Sequence, residues 1–500
     1  MTQSSVIGVD LGSTNVKALL VGARGHIVAR AAVPCPVSRD PAGRVTQAPA
    51  LWLDALEAVV AQLRAAAGSL EPVVALALSC QADTLVACDA TGRELAPAIS
   101  WMDQRAHAES RRLERLRPDW RALTGKPMSP YSPLAKILWL RAHEPDLAAQ
   151  TRRWCQPADY LAAALTGQWV SDLNSASFSH GFSLERGDWD PALLAELDLE
   201  GTLAPLRPSG QVLAPLRDAW RRRLGLPAQT QFVLGGHDQA CASLGIQPPG
   251  ADELDLSAGT AWVLFRPVSS RSAGASENLV IYRHAVPDRW ALLAAFPGGG
   301  VLEAFLDVLG VSHAEAFGPP GGGLLATLAA DDLRDDLIVL PFLLGASSLD
   351  ADASARAAIL GLRSHHRPRN LIAGLMRAVA FETRRYYELF QLPGDPPRRI
   401  KMMGGASRGP LWPQLIADAC NTTVVVLDEP DASALGAAFL AGCGAGLWSW
   451  DGLPAYPHGI PVSPDPARTE AAARAFADYR DALVADRLRR ARESPVPSAT

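Results

Sequence analysis

The sequence predicts an α/β protein of two related lobes around a central cleft, and three observations carry that prediction. The first is the opening stretch. An apolar run from Val6 to Val9 ends at Asp10, passes through Gly12-Ser13-Thr14 and re-enters an apolar run from Val16 to Val21, the pattern of two strands joined by a short polar turn. The second lies downstream: apolar residues at helical spacing from Trp52 to Ala67, then a buried strand from Val73 to Leu78. That order argues for layered α/β architecture over an all-helical one. The third is an echo about 250 residues later, where Leu254 to Leu264 repeats strand, Ser-Ala-Gly-Thr turn and strand. Two such units suggest two lobes, each lending a loop to phosphates in the cleft between them.

Composition narrows the function classes. A chain of 500 residues with 48% hydrophobic residues, 20% charged residues and net charge −5 reads as soluble and mildly acidic. It has no basic excess for nucleic acid or an anionic membrane surface. No apolar run reaches about 18 residues, so no membrane span is expected. The N-terminus lacks a basic stretch followed by a long apolar one, so no signal peptide is expected. The seven cysteines form no CxxC pair and read as reduced, mostly buried thiols of a cytoplasmic protein. No His/Cys/Asp cluster supports zinc, and no GxSxG supports a hydrolase. His365-His366 read as a solvated loop, and Gly442 to Gly446, which follow a helix, as a helix end and turn.

Taken in order, the first turn offers Gly12 for close backbone approach. Ser13, Thr14, Lys17 and the loop amides can meet phosphate oxygens, and Asp10 can hold a cation-bound water. Read alone, the same stretch is an ordinary edge hairpin. His26 to Ala32 is a third strand, closed by Pro34 and Pro36. After Ser79 to Thr84 comes a strand from Leu85 to Ala87, then an Asp89 to Gly92 turn. Ile99 to Arg105 leads into a charged helix from Ala106 to Leu116. Asp103 there reads equally as a ligand contact past a buried strand or as a carboxylate at a helix N-terminus. Ser132 to Leu140 and Pro157 to Leu161 start helices with an early proline, and Ser171 to Ala176 is a turn or cap. From Gln231 to Ala242 a strand runs into Gly235-Gly236, the pair His237-Asp238 and a small-residue helix. Asp238 is either an N-cap or an acceptor for a substrate hydroxyl, with the glycines giving the substrate room.

In the second half, Ser269 to Ser276 is a loop, Leu302 to Leu309 a helix and Pro319 to Gly323 a glycine-rich turn. Leu337 to Pro341 is a strand and Asn370 to Phe390 a long helix carrying Arg377 and Glu382. A short strand from Arg399 to Met403 precedes Gly404-Gly405-Ala406-Ser407-Arg408, and Leu411 to Ala419 is helical. A strand from Asn421 to Leu427 precedes a small-residue helix opened by Asp431 to Ala438. A proline-rich loop, a charged helix from Pro466 to Arg492 and a disordered end complete the chain. The expected domains are 1–250, 251–455 and an extension, 456–500.

This set of motifs, from about residue 6 to 450, resembles the FGGY family of carbohydrate kinases, and within it the xylulokinase-like members. Tyr131-Ser132-Pro133-Leu134-Ala135-Lys136-Ile137-Leu138-Trp139-Leu140 fits one family signature completely. The second, Gly361 through Arg377, departs at Gly374, where Ala or Ser is usual, and at Arg377, where an acid or amide is usual. The resemblance implies an actin-like ATPase (ribonuclease H-like) fold. ATP would sit mainly on the C-terminal lobe and the sugar on the N-terminal lobe, with Mg²⁺ on the phosphates. By match, Gly12, Ser13, Thr14 and Lys17 line the first phosphate region, and Gly259, Thr260 and Ala261 the second. Gly404, Gly405, Ala406 and Arg408 approach the nucleotide, and Asp431 to Gly436 the adenosine. Asp238 matches the catalytic base, and Asp10 (through water) with Asp238 the metal site.

The acceptor pocket is expected at Ala82, Asp83, Asp103, Tyr131, His237 and Gln239. Xylulokinase-like members carry Met-His where this chain has Ala82-Asp83, and glycerol kinase-like members carry Arg-Glu. Gln239 and Tyr131 match glycerol kinase, whereas Leu95 to Arg105 looks xylulokinase-like. A carboxylate at Asp83 would grip hydroxyls and repel an acidic sugar. The expected activity is therefore ATP-dependent phosphorylation of a small neutral sugar or polyol, a pentulose such as xylulose. Glycerol or a tetritol is the alternative acceptor, and a non-catalytic sugar/nucleotide sensor the alternative class. The expected partner is that small molecule alone, with no nucleic acid or membrane, on a monomer or homodimer.

Overall fold

The computed structural model describes residues 4–493 except 252, 272–275, 319–321, 329–335, 347–348, 350–351, 353–354, 455 and 457. Parts of the expected Ser269 to Ser276 loop and Pro319 to Gly323 turn, and the end beyond 493, lie outside the described residues.

The opening runs form β1 (Ser5–Leu11), β2 (Asn15–Gly22) and β3 (Ile27–Pro34), an antiparallel meander. Helix α1 (Pro49–Ala67) starts on a proline, whose missing N–H costs nothing in a first turn. It turns Trp52, Leu56, Val59, Val60 and Leu63 onto the sheet, where they share a core with Ile7, Val9, Leu76 and Leu78. Strand β4 (Val73–Cys80) returns parallel to β1, and β5 (Val212–Pro215) and β6 (Gln231–His237) complete a sheet of order β5-β6-β4-β1-β2-β3. Between β4 and β6 the chain forms α2 (Pro133–His143), α3 (Pro157–Thr166) and α4 (Leu173–Ser177).

Helix α5 (Asp238–Ile246) leads to the second sheet. Its strands are β7 (Leu254–Ala258), β8 (Trp262–Val268), β9 (Val280–Arg283), β10 (Trp290–Phe296), β11 (Ile400–Met403), β12 (Val424–Leu427) and β13 (Gly459–Val462). The order is β9-β10-β8-β7-β11-β12-β13. Strand for strand, β13-β12-β11-β7-β8-β10 repeats β5-β6-β4-β1-β2-β3. The three inner strands are parallel in each lobe, and the flanking ones antiparallel. The echo between two turns is thus a duplication of whole topology, with β9 as the second lobe's extra edge strand. Helices α6 (Gly298–Leu309), α7 (Pro368–Leu389), α8 (Leu411–Cys420), α9 (Ala432–Gly444) and α10 (Pro466–Glu493) belong to this half.

The sheets meet through α5 and α9, which cross backbone to backbone. A Cβ on Gly436 would lie 1.8 Å from the Cys241 carbonyl oxygen, and one on Gly245 2.1 Å from that of Ala432. Strand β1 joins the same contact, since a Cβ on Gly8 would lie 2.0 Å from the Ala434 oxygen. All seven cysteines are free thiols, six of them buried. No described helix is long and apolar enough to cross a membrane.

Candidate active site

Parallel strands bring their carboxyl ends to one edge, where α/β folds place ligands. Register puts Asp10 (β1) beside Ser79 (β4), and Ser79 beside Gly236 (β6), so His237 and Asp238 emerge next to Asp10. Ser79 Oγ donates to Asp10 Oδ1 at 2.9 Å. Desolvation, then the charge of Asp238, pushes the Asp10 carboxyl up to about 7, against the pull of Ser79 and Lys17. Two carboxylates facing each other at an open strand edge suit a divalent cation, which would relieve that repulsion.

Asp238 opens α5 with its side chain 30% exposed. His237 Nε2 lies 3.0 Å from its Oδ1. The imidazole's Nδ1 meets the buried Tyr282 hydroxyl at 3.0 Å, and Phe178 packs on the ring at 4.6 Å between centroids. Asn174 Oδ1 accepts the His237 N–H at 2.8 Å, and its amide donates to the Arg283 carbonyl. The two glycines before His237 serve this packing rather than a substrate. A Cβ on Gly235 would sit 1.6 Å from the Leu78 oxygen, and one on Gly236 2.7 Å from Asn174 Oδ1.

The second lobe presents its turns at the matching edge. Ser257 pairs with Met403 in the β7–β11 ladder, so the turn at Gly259, Thr260 and Ala261 lies beside the turn at Gly404, Gly405, Ala406 and Arg408. Gly404 has φ +100°, and a Cβ there would lie 2.7 Å from the Ala258 oxygen. Gly259, Thr260, Ala261, Gly404, Gly405 and Arg408 are exposed and Ala406 half-buried. Sequence reasoning missed Gly298, Gly299 and Gly300, poor helix formers that begin α6 ahead of the expected Leu302. Their role is steric: a Cβ on Gly299 would lie 2.2 Å from the Gly259 oxygen, and Gly300 N–H donates to Thr260 O at 2.8 Å. A strand running into three glycines was the available signal.

On the first lobe the Gly12 amide closes its turn on Asn15 O at 3.1 Å, with Ser13 half-buried and Thr14 exposed. Lys17 is not beside them on a free turn: its Nζ reaches Pro430 O at 3.2 Å and Asp431 at 3.1 Å. Arg30 joins the same clasp through Asp431 at 2.8 Å and Glu429 at 3.2 Å.

The expected acceptor residues divide. Asp83 is buried at φ +58°, a strained setting for a non-glycine residue. Its N–H donates to Gln156, its carbonyl accepts from Lys136 at 2.6 Å, and its Oδ2 accepts from Lys126 at 2.9 Å. Oδ1 is buried without a partner. The Lys126 ammonium also lies 3.9 Å from the Phe178 ring centroid, and burial lowers its pKa against the pull of Asp83. Repulsion of acidic sugars by a bare Asp83 charge is therefore corrected: the carboxylate is half of a buried ion pair. Burial, reinforced by Lys126, holds His180 neutral, pushed down to about 3. Ala82 is buried and Gln239 half-buried on the first turn of α5. The Tyr131 hydroxyl accepts from Gln104 at 2.7 Å. Asp103 is fully buried, its oxygens taken by the N–H groups of Val45 and Arg105 and by the Arg105 guanidinium.

Lys126 and Lys136 escaped sequence reasoning, although a signal existed. Of 47 basic residues only Lys17, Lys126, Lys136 and Lys401 are lysines. Lys401, also buried, bonds Ile246 O at 2.8 Å and Glu253 at 2.9 Å. Arg377, the departure in the second signature, donates to the Leu337 carbonyl. It lines a cavity of about 820 Å³ between α7, α8 and α10 that contains none of the cleft residues above.

Two lobes of duplicated topology, facing carboxylates on one and glycine turns on the other, define a phosphotransferase of the actin-like ATPase fold. Family models match accordingly: the N-terminal domain of the FGGY family of carbohydrate kinases over residues 5–245 and its C-terminal domain over 257–445. The chain belongs to the FGGY family of carbohydrate kinases. It is 29% identical over 443 residues to the xylulose kinase of Escherichia coli K12, covering 87% of this chain and 89% of that protein. It is 25% identical to the xylulose kinase of Bacillus subtilis 168, covering 88% of each. The crystal structure of xylulose kinase from Rhodospirillum rubrum superposes with a TM-score of 0.85 at 27% identity, covering 96% of this chain and 98% of that one.

Proposed function

We propose that this kinase transfers the γ-phosphoryl group of ATP to a hydroxyl of a small neutral pentulose such as xylulose, with Asp238 as general base. One observation carries the reading. Asp238 stands 30% exposed, one of its carboxylate oxygens 3.0 Å from His237 Nε2, and its charge reaches Asp10. Its other oxygen accepts the acceptor hydroxyl's proton as that oxygen attacks the γ-phosphorus in line. Until bond formation begins, Asp238 chiefly orients the nucleophile. Asp10, through water, and Asp238 would hold Mg²⁺, which when bound spreads the charge of the phosphates. The turns at Gly12, Gly259 and Gly404 offer the nucleotide backbone amides without side chains in the way, and Arg408 and Lys17 offer cations. Ala82, Asp83, Tyr131 and Gln239 line the acceptor end, while Asp103 serves there as scaffold. Closure of the lobes around the polyol keeps the phosphoryl group from water.

The xylulose kinases among the relatives support the pentulose. Asp83, a carboxylate paired with Lys126, supports the second reading, glycerol or a tetritol, because the pair supplies both acceptor and donor for hydroxyls. ADP release measured across pentuloses, pentitols, tetritols and glycerol tests both. A preference for glycerol above about tenfold, ~1.4 kcal/mol in transition-state binding, would replace the pentulose. Asp238→Asn should cost at least about 10³ in kcat, taking the base and the phosphate-side charge together. Turnover absent on every polyol would leave the sensor reading standing, and turnover unaffected by Asp238→Asn would remove Asp238 as the base.

A further inference from the structure

Gly374 and Arg377, the two departures from the second signature, both line the cavity of about 820 Å³ between α7, α8 and α10. Ligand pockets run from about 300 to 1,000 Å³ and combine apolar walls with a few placed polar groups. The apolar wall here comes from Leu337, Val339, Phe381, Leu411 and Leu415. Gly374 lets two of these sit close, since a Cβ there would lie 3.0 Å from Val339 Cγ2 and 3.1 Å from Leu337 Cδ2. We propose that this cavity binds a small amphipathic organic anion, its apolar body on that wall and its acidic head on Arg377. The site lies outside the catalytic cleft and does not depend on the kinase reading.

The docking of α10 holds the space open. Near the start of the helix, Asp418 Oδ1 accepts the Asp465 N–H at 2.8 Å, and Asp418 Oδ2 lies 3.1 Å from Arg468 Nε. Farther along, Phe476 and Tyr479 pack on Phe381 at 5.6 and 5.5 Å between ring centroids. The Tyr479 hydroxyl also donates to Glu382 at 2.6 Å. Between these anchors α10 lines the cavity with Ala471, Ala472 and Ala475, whose methyl groups are too short to fill it. An unfilled apolar wall forfeits dispersion contacts that an occupant restores. Charge selects the head group. Arg468 and Arg474 are exposed and pair with Asp418 and Glu470. Arg377 is half-buried, and its guanidinium donates to the Leu337 carbonyl. Five N–H donors in a fixed fork let a guanidinium serve more than one acceptor, and the oxygens of a carboxylate, sulfonate or phosphate match that fork. Asp336 and Asp478 line the same cavity and repel a polyanion, which sets this ligand apart from a nucleotide.

The probe is 1-anilinonaphthalene-8-sulfonate, an apolar body with a single sulfonate, titrated into the full-length protein by fluorescence and by calorimetry. Saturating ADP and Mg²⁺ are present throughout, to keep the probe out of the cleft. The wild type should bind it saturably, at one site per chain, with Kd at or below about 100 μM. Ala472→Trp puts an indole into the space and should weaken binding at least about tenfold, with the melting temperature unchanged or raised as for a filled cavity. Ala475→Leu, a milder filling, should weaken it at least about threefold and serves if the tryptophan variant does not fold. Arg377→Met should cost at least about fivefold, and Arg377→Lys, which keeps the charge without the fork, should fall between it and the wild type. Absence of saturable binding, or equal affinity in the wild type and the folded filling variants, would overturn the site. So would binding to the wild type that is present without ADP and abolished by it, because the probe would then sit in the cleft. Arg377→Met binding as tightly as the wild type would overturn the assignment of an anionic ligand.

Discussion

Lys136 shows what a single side chain does for the acceptor pocket. Its fully buried ammonium donates to the carbonyls of Asp83 and Ser100 at 2.6 and 2.9 Å, joining the two strand exits that carry the pocket. Burial lowers its pKa to about 7 although Asp83 and Asp103 pull the other way. A guanidinium is too broad and flat for two carbonyls at that depth, which explains a lysine in a chain that otherwise prefers arginine. Lys136→Met leaves the Asp83 carbonyl without its donor, at about 1–3 kcal/mol, while the Ser100 carbonyl keeps the Asp103 N–H at 3.0 Å. The expected result is a lower melting temperature and a raised sugar KM with nucleotide affinity unchanged, read by thermal denaturation and calorimetry. Asp159 gives a test in pH. Burial raises its carboxyl from 3.8 to about 7 in the folded chain, against the hydrogen bond it accepts from the Gln156 N–H. A raised acid binds its proton more tightly when folded, so its contribution is full below the unfolded value and is lost as pH climbs toward 7. The wild type should therefore lose stability relative to Asp159→Asn between about pH 4 and 7, by ~1.4 kcal/mol for each pH step of one over which only the folded chain holds the proton. Melts of both proteins at pH 5, 6 and 8, where an unchanging gap contradicts the assignment, decide it.

Among the elements, those whose pattern is local were legible. Strands β1, β2 and β4, helix α1, and the turns at Gly12 and Gly404 emerge from runs of apolar residues interrupted by glycine, serine or aspartate. Strand β10, with the sequence WALLAAF, has no period to separate strand from helix, and only its pairing with β8 and β9 decides it. Short β5, β9 and β13 are edge strands defined by a neighbour, and their own residues carry no signal strong enough to mark them. The site divides the same way. Asp10 and Asp238 stand in local motifs, whereas Asp83 meets Lys126 across 43 positions and His237 meets Tyr282 across 45. The α5–α9 crossing gives the element-scale prediction. Gly436→Ala places a methyl 1.8 Å from a backbone oxygen that cannot yield without moving a helix. The expected loss is about 3 kcal/mol or more, with sheet content kept by circular dichroism. A variant as stable as wild type would mean that the helices separate readily.

At the scale of the molecule, the duplicated sheets make the cleft a junction of like edges: parallel-strand ends with acids on one side and glycine turns on the other. Several connections span it. Some are internal, through the Tyr282 strand and the glycine crossing. Another lies at the rim, where Lys17 and Arg30 hold Asp431 and Glu429 with side chains 34% and 47% exposed on the basic side. Pairs whose basic partners stand this open to solvent weaken with salt, so the rim can release without unfolding either lobe.

The scarcity of lysine turns that rim into a chemical reporter. Three of the four lysine side chains are shut away, with those of Lys126 and Lys401 only 7% and 11% exposed and Lys136 fully enclosed. Among the described side chains, an amine-reactive acyl reagent therefore meets essentially one accessible primary amine, that of Lys17 at the mouth of the cleft. Its acylation rate, followed by peptide mass spectrometry, should rise with ionic strength as the clasp loosens and fall when nucleotide fills the cleft. Equal labelling in every condition would show that Lys17 neither clasps the rim nor meets the nucleotide.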